Sequence, residues 1–280
     1  MSLQLDKKNN GGGYMNIGEI VEDSLRYPLS DWKKVLIYGF IGLFTTTAVF
    51  RGFFALNGLT NPGLILLVVI FELLVSIYFT GYFLKIIKLS LTGTKKLPQF
   101  KGVNEKLSDG IKVFIVAIVY MVPVILIIVV FALLSSLALQ IIVNQAINNG
   151  FNLQNLITIL MSLGIGIGIF LAMLYMVVVL PLFIVSLVHM ADNNDKLASA
   201  FRLGEIFDKI GSIGWINLIL WYLASGLIFI AILVFLGTFI LAIFNLIHNI
   251  DIGGLLISVV LIPYLYMYFA RSSALFYTKK

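Results

Sequence analysis

Six apolar runs, each long enough to cross the roughly 30 Å of hydrocarbon in a bilayer, constrain this chain more than any other feature. They cover residues 35–56, 63–84, 111–143, 156–189, 215–247 and 253–277. No water is present in the bilayer core to satisfy backbone N–H and C=O groups, so each run must be a helix. The expected fold class is all-α, a polytopic integral membrane protein with six transmembrane helices. The third to fifth runs far exceed the roughly 20 residues that a span needs. None holds two spans plus a turn, so each is one helix that tilts, kinks or projects past the bilayer. Pro123, Pro181 and Pro263 lie inside runs, where the missing N–H and the ring clash predict kinks. Composition agrees: 60% of the 280 residues are hydrophobic and 11% charged, against about 25% charged in soluble domains.

The connections between runs alternate. Residues 57–62, 144–155 and 249–251 hold no Lys or Arg, and eighteen of the nineteen basic residues lie on the opposite side. Lys and Arg favour cytoplasmic loops, so both termini and the two long loops are expected in the cytoplasm, with the chain in the cell membrane. Residues 1–14 are polar and glycine-rich, without an apolar core for a signal peptide. They read as a flexible tail, or as residues ahead of a natural start at Met15, leaving residues 15–280 as a single membrane domain.

On the basic side, Ile17, Ile20, Val21, Ser24 and Leu25 recur at helical spacing, and so do Leu197, Phe201, Ile206, Phe207 and Ile210. Residues 84–91 place Lys85 and Lys88 on one face. Each reads as an amphipathic helix lying at the membrane interface. The order amphipathic helix, span, short outer turn, span then occurs three times, over residues 16–84, 85–190 and 191–277. Pro181 precedes His189 by eight residues and Pro263 precedes Arg271 by eight, a local echo between two of these units. Such repeats would be parallel, unlike the inverted repeats of many transporters.

A stretch of motifs carries a family resemblance. Gly81-Tyr82-Phe83-Leu84-Lys85-Ile86-Ile87-Lys88 is followed by Gly93, by Leu97-Pro98-Gln99-Phe100 and by Asp109-Gly110-Ile111-Lys112. Further on stands Ala200-Phe201-Arg202-Leu203-Gly204-Glu205-Ile206-Phe207. The pattern resembles an uncharacterised family of archaeal multi-pass membrane proteins labelled only as a domain of unknown function. The layout matches over about residues 16–277, with Gly102-Val103 standing where the family usually has Trp. The resemblance implies a membrane fold and transfers no activity. The residues themselves give a physical reading of the turn. Gly93 ends the preceding helix, Pro98 disfavours helix at Leu97, and Phe100 anchors the turn in the membrane interface.

Among candidate sites, Glu72 is the sharpest, a carboxylate in mid-span that costs several kcal/mol unless paired, neutralised or hydrated. Arg51 is the basic residue away from the basic side. Counted from residue 60 the two differ by three positions, about 4.5 Å of helical rise, so they are candidates for an intramembrane pair. Gly164 and Gly168, four apart, suit close helix packing. His189 ends a run and is expected to meet last-turn carbonyls. The chain has no cysteine and two histidines, which argues against metal sites, and no cofactor is expected. No H-E-x-x-H, no serine elbow and no paired carboxylates within a span are present, so no catalytic residue is assigned. The net charge of +6 points to anionic headgroups, not nucleic acid. The expected function is therefore a non-enzymatic membrane protein that binds or organises lipids or partner membrane proteins, including further copies of itself. The alternative is a transporter or channel for a small solute or ion using Glu72 and Arg51.

Overall fold

The computed structural model describes residues 16–45, 61–147, 153–248 and 250–279. Among the described residues every regular element is helical. In chain order the helices are α1 (Ile17–Leu29), α2 (Trp32–Leu43), α3 (Pro62–Leu91), α4 (Val103–Ile147), α5 (Leu153–Asp192), a 3₁₀ turn (Leu197–Phe201), α6 (Leu203–Ile213), α7 (Trp215–Leu246), α8 (Ile250–Leu256) and α9 (Ile262–Thr278). A single π-helical stretch, Ile257–Leu261, joins α8 to α9.

Among the described residues five stretches are long and apolar enough to cross a membrane: Pro62–Leu91, Val103–Leu137, Gly166–Asp192, Trp215–Leu246 and Asp251–Thr278. The first run expected from the sequence is described only in part. Its start is α2, of 12 residues, and residues 46–56 lie outside the described residues, as does Arg51. The length of α4, 45 residues, corresponds to about 67 Å at 1.5 Å per residue.

Local signals set the helix boundaries. Pro62 opens α3 behind Asn61, whose side chain accepts from the backbone N–H of Gly63 at 2.8 Å. This is the N-cap followed by proline that pre-forms a first turn. At the other end Gly93 has φ +74, and the Thr94 N–H reaches the Leu89 carbonyl at 3.0 Å. That six-to-one bond is the closing contact of a glycine-terminated helix.

The core occupies one end of the bundle. It gathers the start of α2, the end of α3, the start of α4, the end of α5, the start of α7 and the second half of α9. α9 lies at its centre and packs against α1, α2, α3, α5 and α7. Met267, Tyr268, Ala270, Ser272, Ala274 and Phe276 are all buried there. A helix buried on every side needs small residues where neighbours approach, and Ala270, Ser272, Ser273 and Ala274 supply them. Beyond that core several helices bury little of their surface. In their most apolar stretches only 11% of α3, 17% of α4 and 6% of α7 is buried within the protein, against 39% for α5.

Two expectations are corrected. The amphipathic helices turn much of their apolar faces to protein, although Leu203 and Phe207 of α6 stay exposed. Ile20, Ser24 and Tyr27 of α1 are buried against α9, and Ile206, Ile210 and Ile213 of α6 are buried too. Residues 84–91 form no separate helix but the last turns of α3, with Ile86 and Ile87 fully buried. Pro123 and Pro181 lie inside continuous helices. Near Pro263 the irregularity is the π stretch that precedes it. That stretch meets α2 at Gly39, where a Cβ would fall 1.9 Å from the Val259 carbonyl oxygen.

Candidate functional site

The turn between α3 and α4 is where the chain concentrates its polar chemistry. Its backbone carbonyls point at side chains from five helices. Arg271 of α9 donates through Nη1 to the Thr94 carbonyl at 2.8 Å. The Tyr27 hydroxyl of α1 reaches the Lys96 carbonyl at 3.3 Å, and Lys34 Nζ of α2 the Leu97 carbonyl at 2.7 Å. From α3, Tyr82 donates to the Pro98 carbonyl and Tyr78 to the Phe100 carbonyl, both at 3.0 Å. Lys106 of α4 closes the set on the Lys101 carbonyl. A turn that cannot pair its own carbonyls thus orders five elements around itself, because buried carbonyls require donors.

Gly93, Leu97, Pro98 and Phe100 form an elbow packed onto the protein, with Gly93 exposed and Phe100 half-buried. Leu97 and Pro98 are buried. The Phe100 ring stacks on Tyr82, with centroids 4.4 Å apart and planes 7° from parallel. Tyr82 in turn lies 4.8 Å from Tyr38, which stacks on Phe79 at 4.0 Å. This aromatic ladder joins the elbow to α2 and α3.

Charged groups extend the network. Arg271, 2% exposed, pairs through Nε with Asp23 at 2.8 Å and lies 5.1 Å from the Tyr27 ring. Burial, partly countered by the Arg271 charge, pushes the Tyr27 hydroxyl up to about 12, so it stays a proton donor at any ordinary pH. Lys88 bridges Asp109 at 2.7 Å and Asp195 at 2.6 Å. It thereby ties the two long connections of the basic end together. His189 does not meet last-turn carbonyls through its ring. Its Nδ1 lies 2.7 Å from the Tyr277 hydroxyl, and its Nε2 lies 3.2 Å from Glu205, which also pairs with Arg202 at 3.0 Å. The hydrogen bond from His189, and then that from Arg202, hold the Glu205 carboxyl below its ordinary value.

Glu72 stands apart from all of this. It is buried on α3, and its Oε1 has no hydrogen-bond partner among the described residues. Seven residues on, two turns along the same face, Phe79 packs on Tyr38. The proposed partner Arg51 lies outside the described residues. Gly164 and Gly168 lie where α5 meets α4. A Cβ would fall 1.9 Å from Ser135 Oγ at Gly164 and 2.7 Å from Phe131 Cβ at Gly168. Tighter still is the crossing of α3 and α4. A Cβ on Gly81 would fall 1.8 Å from the Lys106 carbonyl oxygen, and one on Gly110 1.8 Å from that of Ile77.

The family described as Protein of unknown function (DUF4013) matches residues 63–243, more than half of the chain. The chain belongs to this family. No curated protein and no solved structure matches it. The matched range runs from α3 into α7, so it contains Glu72, the elbow, Lys88, Asp109, His189 and Glu205. Asp23, Tyr27, Arg271 and Tyr277, which complete the network, lie outside it.

Reading the sequence singled out Gly93, Leu97, Pro98 and Phe100 but missed their partners Tyr27, Tyr78, Tyr82 and Arg271. It also missed the Lys88–Asp109–Asp195 bridge. One signal was present: the eight-residue echo marked His189 and Arg271, which both prove to be cross-linking groups.

Proposed function

We propose that this is a non-enzymatic multi-pass membrane protein that binds or organises lipids or partner membrane proteins along the exposed faces of its spans. In this reading six helices span the cell membrane, and the basic end with both termini lies in the cytoplasm. The observation that carries it is the uneven burial. A densely satisfied core at one end holds helices whose outer parts bury as little as 6% of their most apolar stretch. Apolar faces of that size are normally covered by lipid or by another chain. The network at the basic end supports the reading, since the charged groups named above are paired and serve to hold the helices.

One observation favours a second reading. Glu72 buries a carboxylate oxygen, without a partner among the described residues, in an apolar span, and an intramembrane carboxylate of this kind suits ion or proton passage. Native mass spectrometry of the protein released from mild detergent, beside Glu72→Gln, separates the two. A defined oligomer or retained lipid, unchanged in the variant, is the expected result. A bare monomer together with solute or proton flux in liposomes that Glu72→Gln abolishes would replace the first reading by the second.

A further inference from the structure

A groove of about 570 Å³ opens at the basic end, between the first turns of α2 and the elbow. Its polar wall holds Lys33, Lys34 and Lys101 against one carboxylate, Asp31; its apolar wall holds Ile37 and Phe100. The lysines are not equivalent. Lys34 is committed to Asp31 at 3.3 Å and to the Leu97 carbonyl at 2.7 Å. Lys33 and Lys101 are exposed and have no ion-pair partner among the described residues. Asp31 caps α2 by accepting from the Lys34 N–H, so the helix end is already taken and an incoming anion must meet the lysine side chains.

We propose that this groove binds the phosphodiester headgroup of an anionic phospholipid, with Lys33 and Lys101 on the phosphate. The apolar path out of the groove argues for a lipid over a free anion. Ile37 is 46% exposed and Phe40, one turn further along α2, 58%. The two continue from the lysines along a helix that heads away from the basic end, as an acyl chain lying against the span requires. Charge supports the choice of this groove over its neighbour. The second groove at this end is lined by Glu19, Glu22 and Asp23 against Arg26 and Lys95, a balance that repels phosphate. The inference rests on the lipid-binding reading above and makes it specific to one site and one headgroup class.

The test is native mass spectrometry of the full-length protein in detergent, titrated in separate arms with phosphatidylglycerol, phosphatidylcholine and inorganic phosphate. Each lysine near an anionic headgroup contributes roughly fivefold in affinity. Lys33→Gln with Lys101→Gln is therefore expected to weaken phosphatidylglycerol binding about twenty-fivefold and to leave phosphatidylcholine unchanged. A charge-matched control, Lys95→Gln with Lys96→Gln, should change little. Equal losses in the two double variants would overturn the proposal in favour of diffuse electrostatics. Inorganic phosphate binding as tightly as the lipid, and lost in the same variant, would make the groove a free-anion site. Lipid retained equally by all variants defeats this site alone, whereas a wild-type protein that holds neither lipid defeats the broader reading as well.

Discussion

Replacing Arg271 by Ala tests whether the network at the basic end holds the fold. Arg271 is 2% exposed, pairs with Asp23 and donates to the Thr94 carbonyl. The substitution leaves a carboxylate and a buried carbonyl without their donor. Breaking a buried pair from one side costs about 3–5 kcal/mol. The Asp23 side chain is 25% exposed, so water recovers part of that loss and the expected cost is near the lower bound, about 3 kcal/mol. The measurement is reversible unfolding in mixed micelles followed by tryptophan fluorescence, with Asp23→Asn and the double variant completing a cycle. Neighbours in one network show coupling of about 0.5–3 kcal/mol. Hydrogen exchange should localise the loosening to α1 and the elbow, because Arg271 joins those two elements to α9. Additive effects within about 0.5 kcal/mol, or a single-variant cost below about 1 kcal/mol, would refute the argument that Arg271 links them.

Two further outcomes follow from the geometry. Gly81→Ala drives a Cβ into the Lys106 carbonyl oxygen and should cost about 2–3 kcal/mol by forcing α3 from α4. By contrast Gly211→Ala, with nothing within 4 Å of its Cβ, should be neutral or stabilise by up to about 1 kcal/mol through helix propensity; equal effects at the two sites would contradict the crossing. Glu205 has its carboxyl pKa lowered below 4.5 by His189 and then Arg202. Its contribution is therefore complete above 4.5 and is lost as pH falls through the lowered value. Hydrogen exchange of α6 should accelerate only in that acid range, and Arg202→Gln should move the onset to higher pH; an unchanged onset would remove Glu205 from the tether.

Much of the molecule was legible because hydrophobic length is a property of each segment alone. The five described membrane-length helices lie where apolar runs stand in the sequence, and Pro62 and Gly93 mark their boundaries by backbone chemistry that acts within a few residues. The elbow Leu97-Pro98-Gln99-Phe100 was recognisable as a turn for the same reason. Its partners were not: no local signal told that Tyr82 stacks on Phe100 or that α1, α2 and α9 reach its carbonyls. The amphipathic faces of α1 and α6 posed the same problem. A stripe of Ile and Leu specifies that something apolar must cover it and does not distinguish lipid from protein. Pro263 marked the neighbourhood of the irregularity at Ile257–Leu261, since proline removes the donor for the Val259 carbonyl, but the contact of Val259 with Gly39, on a helix more than two hundred residues earlier, was not legible.

By itself, then, the sequence determined a helical, membrane-directed chain, the placement of its long helices and the crowding of its basic groups at one end. These follow from local quantities: transfer of apolar side chains, backbone satisfaction within a helix, and charge along the chain. Tertiary structure alone decided which carbonyls of the elbow meet Arg271, Tyr27, Lys34 and Tyr82. It likewise decided that Lys88 joins Asp109 to Asp195 and that His189 faces Glu205 and Tyr277. Each of those is a contact between groups far apart in sequence, created only when α9 enters the centre of the bundle and the close approach at Gly81 and Gly110 sets the register of its neighbours.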